Sequence, residues 1–183
     1  MHYFRTRPWR SRPGSRFEYS NVAFILLGAI IEQASGQDYL AYVQQHVFDP
    51  AGMVDSGFFE ADEDTPNLAV GYTFRTLPDS ARGQLSARTH TQLKPFKGNP
   101  AGDSVSTAPD LLRFAQALMA GRLLQRSTFD LFRQPINVMP APPGSQDRAT
   151  PGLGLITIDS THGHPVGHNG GGRRYHHLFI HGP

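Results

Sequence analysis

Two side chains that could take part in catalysis, Tyr19 and Asn21, stand two positions apart immediately before a long apolar run. A phenol that loses its proton readily can act as a general base, and a carboxamide can donate a hydrogen bond to a substrate carbonyl. Taken alone, the pair is more typical of a half-buried packing tyrosine and a helix-capping asparagine. Its chemical meaning therefore depends on the elements around it and on polar residues elsewhere in the chain.

A helix is predicted directly after this pair. Ser20 or Asn21 can accept hydrogen bonds from the unpaired N–H groups of a first turn, and Gly36 suits the left-handed residue that follows a helix. The residues between them are apolar on nearly all sides. This pattern predicts a central, buried helix.

Further helices and strands are predicted from periodicity and cap signals. A second helix is expected over 39–48, preceded by Asp38 and ended by Pro50 and Gly52. A third begins after Thr107, whose hydroxyl can cap it, and closes before the glycine at position 121. The remaining predictions are a helical turn at 127–133, short strands at 70–74, 154–158 and 178–180, and loops at 76–100 and 134–152.

The composition indicates one globular domain. The 183 residues are 38% hydrophobic and 17% charged, and the formal net charge is +2, which is too small to predict a nucleic-acid partner. Cysteine is absent, so disulfides and thiol catalysis are excluded. The longest apolar run, Val22 to Ile31, has ten residues, whereas a membrane span needs about 20. We therefore expect no membrane span.

Several stretches in a fixed order carry a resemblance to a known family. They are 13–36 with Tyr19-Ser20-Asn21, Pro50-Ala51-Gly52-Met53, 102–114 with Ser106-Thr107 and Asp110, Gly152-Leu153-Gly154, and Gly167-His168-Asn169-Gly170-Gly171. Together they resemble the serine β-lactamase-related proteins, which include class C β-lactamases, D-alanyl-D-alanine carboxypeptidases and related esterases. The resemblance covers most of residues 13–171. Ala51 departs mildly from the leucine that the family tends to have.

The resemblance implies roles for five residues. Tyr19 would match the tyrosine that assists proton transfer to and from the nucleophile, and Asn21 the asparagine that contacts the substrate amide. His168, Asn169 and Gly170 would match the third motif, with His168 holding the carboxylate side of the substrate or the tyrosine hydroxyl and the other two lining the substrate site. A histidine at this place is similar to the esterase and peptidase branches rather than to the specialised β-lactamases.

The resemblance also implies a fold and a set of partners. The expected fold is α/β (α+β), a partial β-lactamase/transpeptidase-like domain over 1–183 with an antiparallel sheet and flanking helices. The expected partner is a small-molecule or peptide substrate, and no cofactor and no metal are implied. The oligomeric state and the cellular compartment stay open, although the family is often periplasmic or secreted.

The nucleophile motif of the family, Ser-x-x-Lys, does not occur in this sequence. In the family this motif precedes the tyrosine motif and lies on a buried helix. The nearest substitute, Thr91-x-x-Lys94, lies in a polar loop after the tyrosine motif and lacks a helix to position it. We therefore expect a chain truncated at the N-terminus, and also at the C-terminus, where the sequence leaves the family pattern after Gly171, and we expect it to be inactive alone.

Two alternative functions remain open. One is a non-catalytic remnant or ligand-binding protein of the same fold, in which the motif residues only line a pocket. The other is a metal-binding module, because histidines crowd the last part of the chain and imidazoles at such spacing can bind Zn²⁺ or Ni²⁺. These histidines are His162, His164, His168, His176, His177 and His181. Ser104, in a Gly-Asp-Ser sequence, is interpreted as a loop residue rather than a nucleophile.

Overall fold

The structure is a computed structural model of the 183-residue chain, and its backbone divides into two compact units. One unit contains 20–126 and 170–176, and the other contains 1–19, 127–169 and 177–183. The expected single domain stays a prediction, and each unit is described by itself below. The structure describes residues 8, 11–59, 66–69, 71–74, 85–88, 97–136, 148–159, 163–168, 170 and 178–180.

Five helices and six strands lie in these ranges. The helices are α1 (Asn21–Ser35), α2 (Tyr39–Val43), α3 (Asp49–Ala51), α4 (Ala108–Met119) and α5 (Arg126–Arg133), with a π-helical turn (Gln44–Phe48) joining α2 to α3. The strands are β1 (Gly71–Phe74), β2 (Leu85–Arg88), β3 (Arg148–Pro151), β4 (Ile156–Asp159), β5 (Val166–His168) and β6 (Leu178–Ile180). None of the helices in these ranges is long and apolar enough to cross a membrane.

The predicted caps of α1 are confirmed. The Ser20 hydroxyl accepts a hydrogen bond from the Ala23 N–H at 3.3 Å, which satisfies one unpaired donor of the first turn. At the other end Gly36 adopts a left-handed conformation with φ 71°, and its N–H donates to the Glu32 carbonyl at 2.9 Å. Glycine adopts this conformation without the steric cost that a Cβ atom would add.

The prediction that α1 is buried is wrong. Gly28 is its only buried residue, whereas Leu27 and Ile30 expose 52% and 60% of their surface. Gly28 faces Pro100 and the Tyr39 ring, so this side of the helix packs within the unit. A helix that is apolar all round can bury only the side that neighbouring elements reach, and the opposite side of α1 stays exposed.

The second predicted helix forms with the expected bounds but not as one regular helix. The Asp38 carboxylate caps it by accepting hydrogen bonds from the N–H groups of Leu40 and Ala41, at 3.0 and 3.2 Å. Its second half winds as the π-helical turn. Pro50 does not end the helix as predicted, because it lies inside the first turn of the new segment α3, where the N–H that proline lacks is not needed. The helical path ends at Gly52, with φ 74°.

The core of this unit lies where α3, the π-helical turn and α4 meet. Phe48, Ala51, Met53 and Ala117 are buried there. The Phe48 ring stacks on Phe58 with ring centroids 5.7 Å apart, within the range of favourable aromatic pairs.

The same unit contains an antiparallel β1–β2 pair. The predicted loop over 76–100 is therefore wrong at β2, which forms by antiparallel pairing with the preceding strand β1.

The other unit is built on a four-stranded antiparallel sheet with the order β3-β4-β5-β6. This confirms the predicted fold class of helices with an antiparallel sheet. The predicted loop at 134–152 is wrong at its end, where β3 pairs with β4. The strand expected at 154–158 begins two residues later, at Ile156, because Gly154 adopts φ 88° in the connecting turn. The strand β5 was not predicted.

Replacing Gly28 with alanine tests the close packing of α1 against Pro100. A Cβ atom at position 28 would overlap Pro100 Cγ and lie 2.6 Å from Pro100 Cβ. In an open helix Gly→Ala stabilises, but here overpacking dominates, and we expect a loss of about 1–3 kcal/mol in the free energy of unfolding. Urea denaturation of Gly28→Ala, Pro100→Ala and the double variant measures this. Additive effects of the two substitutions would contradict the contact, since residues in contact couple by about 0.5 kcal/mol or more.

Candidate functional site

Tyr19 lies at the end of an irregular segment that leads into α1. Residues 17–20 form no regular secondary structure, and Ser20 has the extended conformation of an N-cap, with φ −149° and ψ 111°. The cap therefore fixes the chain direction one residue after the tyrosine. The Tyr19 side chain is 52% exposed. A substrate in solution can reach its phenol.

His168 is the last residue of β5, and the sheet register determines its position. Gly167 pairs with Ile156 of β4 on one side and with Phe179 of β6 on the other. His168 itself pairs with Leu178. Because β5 is held between two strands, His168 has a defined place at a strand end.

The structure brings Tyr19 and His168 together. Their ring centroids are 6.1 Å apart and their planes are tilted by 40°, which is within the distance range of interacting aromatic rings. The two residues are separated by 148 intervening positions in the sequence, so this contact is a product of the fold. A phenol next to an imidazole places two groups that can donate or accept protons at one position.

The other three predicted site residues are not brought to this pair by the described geometry. Asn21 is the exposed first residue of α1 and belongs to the other unit, as does Gly170, which is exposed and has open space around its Cα. Asn169 lies outside the described residues. Their predicted roles stay predictions.

The structure gives less support to the other sites that the sequence suggests, which are a different nucleophile and a metal site. Ser104 is exposed in a loop. His164 contacts the Asp159 carboxylate, with Nδ1 and Oδ1 2.8 Å apart. Over the parts of the chain that the structure describes, no group of three or more His, Asp or Glu residues is placed to hold a metal ion. Thr91, Lys94 and the remaining histidines of the His-rich segment lie outside those parts.

A buried polar network around Asp110 was missed by the sequence analysis. Asp110 has no exposed surface, and its carboxylate accepts hydrogen bonds from the Ser56 hydroxyl at 2.7 Å and the Asp55 N–H at 2.8 Å. Arg113 donates to the other carboxylate oxygen at 2.6 Å. The Ser106 hydroxyl lies 2.8 Å from that of Ser56. The available signals were the Thr107-x-x-Asp110 cap pattern and an arginine three residues later, but neither points to Ser56.

The pKa of Asp110 is lower than that of an ordinary aspartate. Burial raises the pKa of this carboxyl, since it removes water from the charged form. Hydrogen bonds from Ser56, the Asp55 N–H and Arg113, together with the charge of Arg113, act in the opposite direction and outweigh it. Asp110 is therefore a buried anion that joins the segment at 55–57 to the first turn of α4.

Comparison with known proteins assigns the chain to a family. The family model described as Beta-lactamase matches residues 1–181. The chain belongs to the beta-lactamase family. The chain is also similar to a penicillin-binding protein and to an amidase, so the predicted kinship with serine β-lactamase-like hydrolases is confirmed.

Similar proteins of known structure are longer than this chain. A penicillin-binding protein from Bacillus halodurans shares 29% identity with a TM-score of 0.71, covering 89% of this chain and 46% of that protein. The D-amino acid amidase from Ochrobactrum anthropi SV3 shares 32% identity with a TM-score of 0.67, covering 88% of this chain and 46% of the amidase.

Curated relatives are longer still. The human mitochondrial serine beta-lactamase-like protein LACTB is 30% identical over 125 residues, which is 66% of this chain and 21% of LACTB. The chain spans 29%, 26% and 37% of the length of three other curated relatives.

Replacing Asp110 with asparagine should destabilise the protein in a pH-dependent way. Because the pKa of Asp110 is lower in the folded state, its stabilising effect is complete above the unfolded-state value of about 3.9. The effect is lost as the pH falls through the lower folded pKa. We therefore expect the wild-type advantage over Asp110→Asn to be largest at neutral pH and to shrink below about pH 4. Urea unfolding midpoints at pH 7, 5, 4 and 3 measure it.

The matched control is Asp103→Asn, an exposed aspartate with φ 69°, a conformation that asparagine tolerates. It should change the unfolding midpoint little at any of these pH values. A wild-type advantage over Asp110→Asn that does not vary with pH would contradict the assignment of Asp110 as an anion.

Proposed function

We propose that this chain provides the tyrosine-motif and third-motif portion of an acyl-transferring serine hydrolase and that, alone, it binds substrate without turnover. The observation that carries the proposal is the contact between Tyr19 and His168, with centroids 6.1 Å apart, in a beta-lactamase family chain without Ser-x-x-Lys. By the family resemblance, Tyr19 would assist proton transfer, and His168 would hold the carboxylate side of the substrate or the tyrosine hydroxyl. The exposed phenol supports access of a ligand.

The reaction of a complete enzyme of this type explains why turnover is not expected. A serine oxygen attacks the substrate carbonyl, its proton passes to a neighbouring base, and the leaving group takes a proton as the carbonyl–leaving-group bond breaks. Water then cleaves the resulting acyl-enzyme. In this scheme Tyr19 moves protons, Asn21 contacts the substrate amide, and His168 with Asn169 and Gly170 orients the substrate. These groups orient and transfer protons, but none of them provides the attacking oxygen.

The substrate class that we propose is a small ester or amide. A histidine at position 168 resembles the esterase and peptidase branches of the family. The similar amidase was crystallised with D-phenylalanine and with L-phenylalanine amide. Both ligands carry an amino group on the carbon atom that bears the carbonyl group. An amino-acid amide is therefore the first ligand to test, with β-lactams as the second class.

We expect no hydrolysis of nitrocefin or a p-nitrophenyl ester above the buffer rate. The reason is the absence of the nucleophile motif, since without an attacking serine no acyl-enzyme forms. Initial-rate assays measure turnover, and intact mass spectrometry after treatment with a covalent serine probe measures adduct formation. Turnover accompanied by an adduct would contradict the proposal, and peptide mapping would then identify the residue that acts as nucleophile, with Ser104 and Thr91 as the first positions to inspect.

Ligand binding without turnover should depend on the Tyr19–His168 pair. In an NMR titration with D-phenylalanine amide, we expect Tyr19→Phe and His168→Ala each to weaken the affinity about 3- to 10-fold, the effect of losing one hydrogen bond of about 0.5–1.5 kcal/mol. The chain contains a matched control, because Tyr42 and His46 of the other unit also pair, with ring centroids 4.3 Å apart. Tyr42→Phe and His46→Ala should leave the affinity unchanged. Equal losses at the two pairs would count against the proposed site.

A further inference from the structure

A polar cavity separate from the motif residues lies within the unit that contains the four-stranded sheet. It has a volume of about 380 Å³, inside the range of about 300–1,000 Å³ that is typical of small-ligand pockets. One wall is the β3–β4 pair and the other is the end of α5. Its polar lining consists of Asp130, Arg133, Gln134, Thr150, Thr157 and Asp159.

The sheet wall presents two hydroxyls and one carboxylate on the same face. Thr150 of β3 is paired directly with Thr157 of β4, so their side chains are neighbours on one side of the sheet. Asp159 follows Thr157 by two positions and therefore projects from this same face. The alternate residues Pro151, Ile156 and Ile158 belong to the opposite face. The sheet therefore separates a polar cavity wall from an apolar side.

The helix wall contains a cation with an unused hydrogen-bond donor. Arg133 is the last residue of α5, and its Nε is buried without a hydrogen-bond partner among the residues that the structure describes. Its guanidinium lies 5.8 Å from the centroid of the buried Phe129 ring, one turn earlier. This cation–π contact holds the guanidinium in place. A buried donor of this kind is costly unless an acceptor reaches it.

The two walls are joined by backbone contacts, so the cavity is formed before any ligand binds. The Leu153 N–H donates to the Phe132 carbonyl at 3.0 Å, and the Ile136 N–H donates to the Pro151 carbonyl at 3.0 Å. At Gly152 a Cβ atom would collide with the Phe132 carbonyl oxygen. Glycine therefore permits the close approach of the end of α5 to the β3–β4 turn. A preformed site binds at a lower entropic cost.

We propose that this cavity binds a small zwitterion with a free ammonium and a free carboxylate, of the class of α-amino acids and short peptides. A carboxylate fits the guanidinium of Arg133 and the hydroxyls of Thr150 and Thr157, which are all donors. An ammonium fits the carboxylates of Asp130 and Asp159, which accept. The inference does not depend on the proposed catalytic lineage, because none of these residues belongs to its motifs.

The mixture of charges favours a zwitterion over a simple ion. A plain anion would face the two carboxylates, and a plain cation would face the guanidinium. The Asp159 carboxylate also contacts His164 Nδ1 at 2.8 Å. A ligand with both charges, separated by a few bonds, has partners of opposite charge for both of them in this lining.

A titration with glycylglycine and two blocked analogues tests the proposal. N-acetylglycylglycine lacks the ammonium, and glycylglycine amide lacks the carboxylate. We follow the backbone amide signals of Thr150 and Thr157 by NMR in the full chain. Glycylglycine should bind, and each analogue should bind about tenfold more weakly, as expected for the loss of a charge-assisted contact.

Substitutions in the cavity assign the two ends. Arg133→Met should weaken glycylglycine binding about tenfold, and Arg133→Lys should recover part of the affinity because the charge is kept. Asp159→Asn should lower the preference for glycylglycine over its acetylated analogue. Arg122→Met, the same change at an exposed arginine of the other unit, is the control and should leave binding unchanged. Thermal unfolding checks that each variant is folded.

Three results would overturn the proposal. They are no signal change with glycylglycine at tens of millimolar, equal affinity for glycylglycine and both analogues, or unchanged affinity in folded Arg133→Met. If Arg133→Met does not fold, Arg133→Lys and Thr157→Val are used instead, and an affinity equal to wild type in both would also refute it.

Discussion

A charged carboxylate with no exposed surface imposes the strongest constraint on the unit that contains 20–126 and 170–176. An ion cannot be buried unless hydrogen bonds and an opposite charge replace the water that it loses. Asp110 meets this requirement with a hydroxyl, a backbone N–H and a guanidinium, drawn from the segment at 55–56 and from α4. These partners cannot shift without leaving the charge uncompensated. The network therefore fixes where the first turn of α4 lies against the segment that follows the core residues Phe48 and Met53.

In the unit that contains the sheet, strand register has the corresponding role. A shift of one residue in β5 would turn every one of its side chains to the other face. The pairing of Gly167 with Ile156 and Phe179 prevents such a shift. The contact of His168 with Tyr19 depends on this register, whereas the alignment of Thr150 with Thr157 depends on the separate register of β3 against β4. Strand register in one sheet thus positions both the motif pair and the polar cavity wall, through different pairs of strands.

Local signals in the sequence predicted the helices well, whereas contacts between different segments of the chain were missed. Ser20, Gly36 and Thr107 act on N–H and carbonyl groups within four residues, so the sequence alone specifies their roles. The strands β2, β3 and β5 were missed because each depends on backbone pairing with a neighbouring strand, which the residue pattern within one short segment does not reveal. The exposure of α1 was also unpredictable, since an apolar sequence does not state which neighbours will cover it. Ser56 was missed because its partner Asp110 is 54 positions away.

The candidate site was predictable only through family resemblance. The residue types at Tyr19 and His168 allow proton transfer, but their separation in sequence gives no reason to place them together. The motif order supplied that reason, and the ring contact agrees with it. The same resemblance could not reveal the cavity at the end of α5, whose residues belong to no motif that we recognised. Its polar lining follows instead from the alternation of side chains along β3 and β4.

Proton-handling groups do not by themselves make an acyl-transfer enzyme. In serine hydrolases, the catalytic groups act as a unit, and loss of the nucleophile alone costs about as much as loss of the whole unit. What the remaining groups retain is the ability to orient a ligand and to stabilise developing charge. This is why we propose the Tyr19–His168 pair as a binding surface, whose catalytic value would depend on an attacking oxygen from another residue. Ligand affinity in variants of the two residues can be measured even where no reaction follows.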